Sequence, residues 1–187
     1  GEKIGEGHFG FVYACKDVWQ NELAAKVVKP LGTYERVRTS AQSELGKLLH
    51  LRHPNITYVY DAFEYRDTFY IITEECFCPA SDLFGMKDFN GQAWLLPIAR
   101  CILQAVHFMH INHFVPQDIH PRNIFTALVK DEMPTEASAI QFKLGDLCVA
   151  KLATEVNAQN TRAEWLLPPE VLRPSVFGQV DYRIDIY

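Results

Sequence analysis

The sequence predicts an α+β fold in two lobes, a strand-rich first part carrying one helix and a mainly helical second part. Three observations predict it. Apolar and polar residues alternate through residues 1–30, and strand-like runs follow at 56–64 and 68–76, which is the period of half-buried strands. Leu45, Leu48 and Leu49 recur at i, i+3 and i+4, and Leu95, Ile98, Ile102, Val106 and Met109 form a second helical stripe; such stripes mark helices with one buried face. A length of 187 residues is enough for one domain or two small lobes with a sizeable core.

The elements follow in order. Phe9, Phe11 and Tyr13 share one face of the first strand region, and the run Leu23–Val28 answers it after a turn at Gln20-Asn21. A helix is expected within 34–50. "RHPNI" at 52–56 ends it, because Pro54 disfavours helical geometry in the residue before it. The two strand runs come next, then the long helix 94–110. Short strands are expected at 123–127 and 140–145. The polar, proline-containing stretch 128–139 between them reads as a surface loop.

Composition narrows the function classes. Hydrophobic residues make up 48% and charged residues 22%, the balance of an ordinary soluble globular chain. No apolar run approaches the roughly 18–20 residues that span a bilayer, so a membrane segment is not expected. Nothing at the start reads as a signal peptide. The formal net charge of −5 weighs against nucleic-acid binding, which wants a basic face. The cysteines are Cys15, Cys76, Cys78, Cys101 and Cys148. They are odd in number and lack a zinc-ligand pattern, so reduced thiols and an intracellular, cytoplasmic setting are expected.

The residues that carry chemistry begin at "IGEGHFGFVYA", residues 4–14, where Gly5, Gly7 and Gly10 give G-x-G-x-x-G. In a dinucleotide-binding fold the third glycine opens a helix; here the chain continues as a strand. A glycine turn within a hairpin can instead lay backbone N–H groups over phosphates. From the glycines alone, a purely structural hairpin reads about as well. Lys26 lies in the next strand beside Ala24 and Ala25, where its ammonium can reach phosphate oxygens. Glu44, on the expected helix, can hold that lysine. The ordered set is far more specific than any one of its members.

At these residues the chain resembles the eukaryotic-type protein kinases, over essentially its whole length. Gly5, Gly7, Gly10 and Val12 match the glycine-rich loop G-x-G-x-x-G-x-V, Lys26 the lysine of the third strand and Glu44 the glutamate of helix C. "HPNI" at 53–56, "FYIITEEC" at 69–76, Asp118 and Asn123 of D-x-x-x-x-N, "GDLC" at 145–148, "PPE" at 168–170 and Asp185 follow in the family's order.

The resemblance implies a bilobal fold. Its first lobe, 1–75, is an antiparallel sheet plus helix C. The mainly helical second lobe, 76–187, reaches only the start of the next buried helix, so the stripe on 94–110 is expected to pack on chain that follows Tyr187, and the 187 residues alone are expected to be poorly soluble. The resemblance also implies ATP and Mg2+ as cofactors and a protein substrate, and leaves room for a regulatory protein partner. Ile4, the glycines, Val12, Ala24, Thr73 as gatekeeper, Glu74 to Cys76 and Phe125 would line the nucleotide. Lys26, held by Glu44, would orient its α- and β-phosphates. Asn123 and Asp146 would hold the metal through hard oxygens, and Asp118 would orient the substrate hydroxyl. Asp185 would brace the catalytic loop.

Four departures bear on activity. Pro116-Gln117 replace the His-Arg before Asp118, and Gln117 cannot pair with a phosphorylated activation loop as arginine does. His120 stands where Ser/Thr-directed members carry a lysine that neutralises the γ-phosphate, so a slower reaction is expected. Leu147-Cys148 replace Phe-Gly, and "NTRAEWLLPPE" at 160–170 lacks the usual Gly-Thr, so no role passes to Thr161. Two functions follow as expectations: phosphoryl transfer from ATP to protein Ser/Thr hydroxyls, or a pseudokinase that binds nucleotide as an allosteric or scaffolding module.

Overall fold

The computed structural model describes residues 1–7, 10–29, 49, 51–129, 139–147, 150–156 and 167–186. The helix expected within 34–50, with Glu44, lies outside the described residues, as do Phe9, Cys148, Thr161 and most of the loop 128–139.

Five antiparallel strands form the first sheet: β1 (Lys3–Gly7), β2 (Gly10–Lys16), β3 (Glu22–Val28), β4 (Val59–Tyr65) and β5 (Thr68–Glu74), in the order β1-β2-β3-β5-β4. Their valines, isoleucines and aromatics suit a pleated, half-buried surface. β4 and β5 join through Arg66 and Asp67, both left-handed at φ 49 and 56, a two-residue turn whose twist matches the strands. The β2–β3 turn is pinned by Asp17. Its Oδ1 accepts from the N–H groups of Trp19 (2.8 Å) and Asn21 (2.9 Å), and its Oδ2 from the Asn21 amide (2.7 Å). That turn lifts Val18 and Trp19 into solvent, 83% and 80% exposed.

After β6 (Cys78–Pro79) and α1 (Ala80–Phe84) comes the long helix α2 (Gly91–Ile111). Asn90 caps it by accepting from the N–H of Ala93 at 3.2 Å. Ile102, Ala105, Val106 and Met109 are its buried stripe. Leu95, expected in that stripe, is 64% exposed. Trp94 takes its place, edge-on to Phe142 with ring centroids 5.7 Å apart. By length and composition alone this helix is long and apolar enough to cross a membrane, a test that a core helix also passes. Counting uninterrupted apolar runs missed this, since Gln92, Arg100, Gln104 and His107 break the run. In the fold its stripe packs into a core with Leu51, Ile56, Ile71, Ile124, Phe142 and Leu144.

The remaining strands are β7 (Phe114–Val115), β8 (Ile124–Val129), β9 (Ala139–Leu144) and β10 (Lys151–Leu152), with β6-β8-β9 and β10-β7 as two small sheets. The expected start of β4 at residue 56 is corrected by three residues. Ile56 makes instead a single parallel bridge to Leu144. Thr57 N–H donates to Leu144 O (2.9 Å), and Leu144 N–H to Asn55 O (2.8 Å). This junction ties the first sheet to β9. The chain then runs through α3 (Pro169–Leu172), α4 (Pro174–Phe177) and a 3-10 turn, Tyr182–Ile186. Val115, Val171 and Ile184 form a second, smaller core there.

Candidate active site

The hairpin of β1 and β2 places Gly5 opposite Val12 and Gly7 opposite Gly10. Gly10 is a steric necessity, since a Cβ there would lie 2.3 Å from Val27 O. Lys26 pairs with Val12 on one side and Ile71 on the other, so it stands in the middle of the sheet with its side chain 13% exposed. Its ammonium forms an ion pair with Asp146 Oδ1. Asp146 is left-handed at φ 49, a conformation that aspartate tolerates better than most residues with a Cβ. Ala24 is buried and pairs with Thr73, while Ile4 is half-exposed on β1.

Residues 116–123 form the loop between β7 and β8. Asn123 Nδ2 donates to both Asp118 O (3.0 Å) and Asp118 Oδ2 (2.9 Å). His120 Nδ1 accepts the Arg122 N–H at 3.2 Å, so the neutral ring carries its proton on Nε2, which lies 3.6 Å from Asp118 Oδ2. Asn123 O accepts the Gly145 N–H at 2.8 Å, which brings Asn123 beside Asp146. A Cβ on Gly145 would lie 2.6 Å from Thr57 Oγ1 and 2.7 Å from the Phe125 ring. Only glycine fits where Phe125, Thr57 and Asp146 converge.

This donor set fits Mg2+. Because Asn123 spends its amide N–H groups on Asp118, its Oδ1 is the acceptor left over, and Asp146 Oδ2 remains beside the Lys26 pair. Mg2+ takes one or two such hard oxygens and completes its shell with phosphate and water. Among the described residues no group of three His, Cys, Asp or Glu converges as a protein-only cage.

Around this centre stand partners that local sequence patterns do not show. Asp185, its side chain fully buried, accepts the Gln117 N–H at 2.8 Å through Oδ1 and bonds His110 Nε2 at 2.8 Å through Oδ2. The resemblance had pointed to Asp185; His110 carried no signal of its own. Glu74 takes both its oxygens to Lys143 Nζ at 2.7 Å and one to the Tyr58 N–H at 2.7 Å. Its backbone N–H donates to Tyr58 O. Glu74 and Lys143 are 69 positions apart, so nothing local marks the pair. Burial, then the charge of Glu74, push the Cys76 thiol up to about 12. Phe125 pairs with Pro79 and Lys143 across the small sheet.

A Lys–Asp pair under a glycine hairpin, beside an Asp–Asn loop, is an arrangement of the kinase type. The model of the protein kinase domain matches residues 1–187, and the chain belongs to that family. It is 30% identical over 189 residues to the probable serine/threonine-protein kinase zyg-1 of Caenorhabditis briggsae, with 100% of this chain and 25% of that protein covered. It is 26% identical over 190 residues to the serine/threonine-protein kinase TAO2 of Xenopus laevis, covering 99% of this chain and 17% of that protein. With TAO3 of Mus musculus the identity is 28% over 191 residues, covering 99% and 20%. The chain thus spans a quarter or less of the length of these relatives.

Proposed function

We propose that this domain transfers the γ-phosphate of ATP to serine or threonine hydroxyls of a protein substrate. The observation that carries the reading is the meeting of Lys26 with Asp146 beside the Asp118–Asn123 pair. Lys26 would hold the α- and β-phosphates as a compact charge. Asp118, kept in place by Asn123, would orient the attacking hydroxyl and take up its proton. Asn123 and Asp146 would hold Mg2+, which when bound offsets charge on the transferring group. Thr73, Glu74, Cys76 and Phe125 would surround the adenine. The serine/threonine assignment is supported by the names of the relatives. Free thiols at Cys15, Cys76, Cys78 and Cys101 support an intracellular setting.

The test is ATP–Mg2+ turnover on a generic protein substrate by the full-length protein. Asp118→Ala is expected to lower kcat by roughly 10²–10⁴-fold, and Lys26→Met and Asp146→Ala to abolish measurable transfer. Transfer that persists unchanged in Asp118→Ala and Asp146→Ala would refute the assignment. Nucleotide binding with no transfer by the wild-type protein would select the pseudokinase reading instead.

A further inference from the structure

Lys29 lies one residue beyond β3 and belongs to no recognised motif. Its Nζ donates to Glu6 Oε1 at 2.9 Å and to the Gly7 carbonyl at 3.3 Å, and sits 4.2 Å from the centre of the Phe11 ring. Lys3 completes the group, with its Nζ 2.6 Å from Glu6 Oε2 and 4.7 Å from the same ring. Phe11 faces Glu6 directly across the hairpin. Glu6 and Gly7 are themselves the second and third residues of the G-x-G, at the turn end of β1.

We infer that Lys29 is a positioning residue that latches the turn end of β1 and β2 to the end of β3, so that this end of the glycine hairpin is ordered before a nucleotide arrives. The inference rests on the proposed ATP site. A glycine hairpin is entropically expensive to order, and ordering it in advance removes that cost from binding. Three contacts converge on one ammonium: a carboxylate, a backbone carbonyl and an aromatic face. The carboxylate is firmly charged, since Lys3 first and Lys29 second hold Glu6 at about 2. These groups are partly exposed, Lys29 to 30% and Glu6 to 48%. Each pair therefore contributes on the order of a surface ion pair, not a buried one.

Lys29→Met is expected to weaken binding of a non-hydrolysable ATP analogue with Mg2+ by about two- to five-fold in calorimetry. The KM for ATP should carry the change and kcat little of it. Lys29→Arg should restore affinity, because a guanidinium can still bond the carboxylate and stack on Phe11. Glu6→Gln should reproduce the loss, and Glu6→Gln with Lys29→Met should lose less than the sum of the two. Amide exchange without nucleotide should quicken at Gly7 and Gly10 in Lys29→Met. Unchanged exchange together with unchanged affinity overturns the latch. Should the wild-type protein bind no nucleotide, the reading of the site fails, and the exchange measurement alone decides the latch.

Discussion

Gln117 is left-handed at φ 66, 4% exposed, and its Nε2 has no hydrogen-bond partner among the described residues. The first term costs about 1 kcal/mol and the second about 1–3 kcal/mol. The backbone N–H of this residue donates to Asp185, a bond that does not need the glutamine side chain; the amide contributes nothing visible. Gln117→Leu, of similar volume, is therefore expected to be neutral or to stabilise by about 1 kcal/mol in denaturant melts. A loss larger than that would show the amide in use. At Cys76 the question is one of pH. A thiol raised from 9.0 to about 12 stays protonated in the fold while the unfolded chain ionises. The stabilisation is whole below pH 9 and is lost as pH rises from about 9 towards 12. Cys76→Ala should lessen the fall in stability over that window, by up to about 1 kcal/mol for each pH unit, as read from melting temperatures between pH 9 and 11.

Between elements, the decisive joint is Asp185, which connects the 3-10 turn to α2 through His110 and to the catalytic loop through Gln117. Asp185→Ala takes the acceptor from two part-buried donors, the Gln117 N–H and His110 Nε2. A loss of about 3 kcal/mol in thermal or denaturant stability is expected, with a fall in any transfer activity; a loss under 1 kcal/mol would show that the joint is not a brace. The strands and α2 could be read from periodicity because each is long enough to show one. β7 and β10, two residues each, have no period to read, and Ile56 alternates like a strand residue but makes only one bridge. Motif order singled out Lys26, Asp118, Asn123 and Asp146, and the fold joins them in two pairs, Lys26 with Asp146 and Asn123 with Asp118; their roles belong to the proposed function. The Glu74–Lys143 pair, His110 and the fit at Gly145 were not readable, since each depends on chain segments distant in sequence. Glu44 and Cys148 lie outside the described residues.

Across the whole molecule, one core runs from Ile71 of the first sheet through Ile56 and Leu144 to the stripe of α2, and the charged centre lies where that sheet meets β8 and β9. Lys26 arrives from the sheet, Asn123 from just before β8 and Asp146 from just after β9. The site is therefore only as well ordered as the junction at Asn55, Thr57 and Leu144. The pinned β2–β3 turn has a different consequence, an optical one. Trp19 stands in water on a turn whose backbone Asp17 pins, while Trp94 lies half-buried against Phe142. With Trp165 changed to Phe, the two remaining indoles give the protein separate dyes: a red-shifted emission open to acrylamide that follows the hairpin tip, and a blue-shifted, protected one that follows the core.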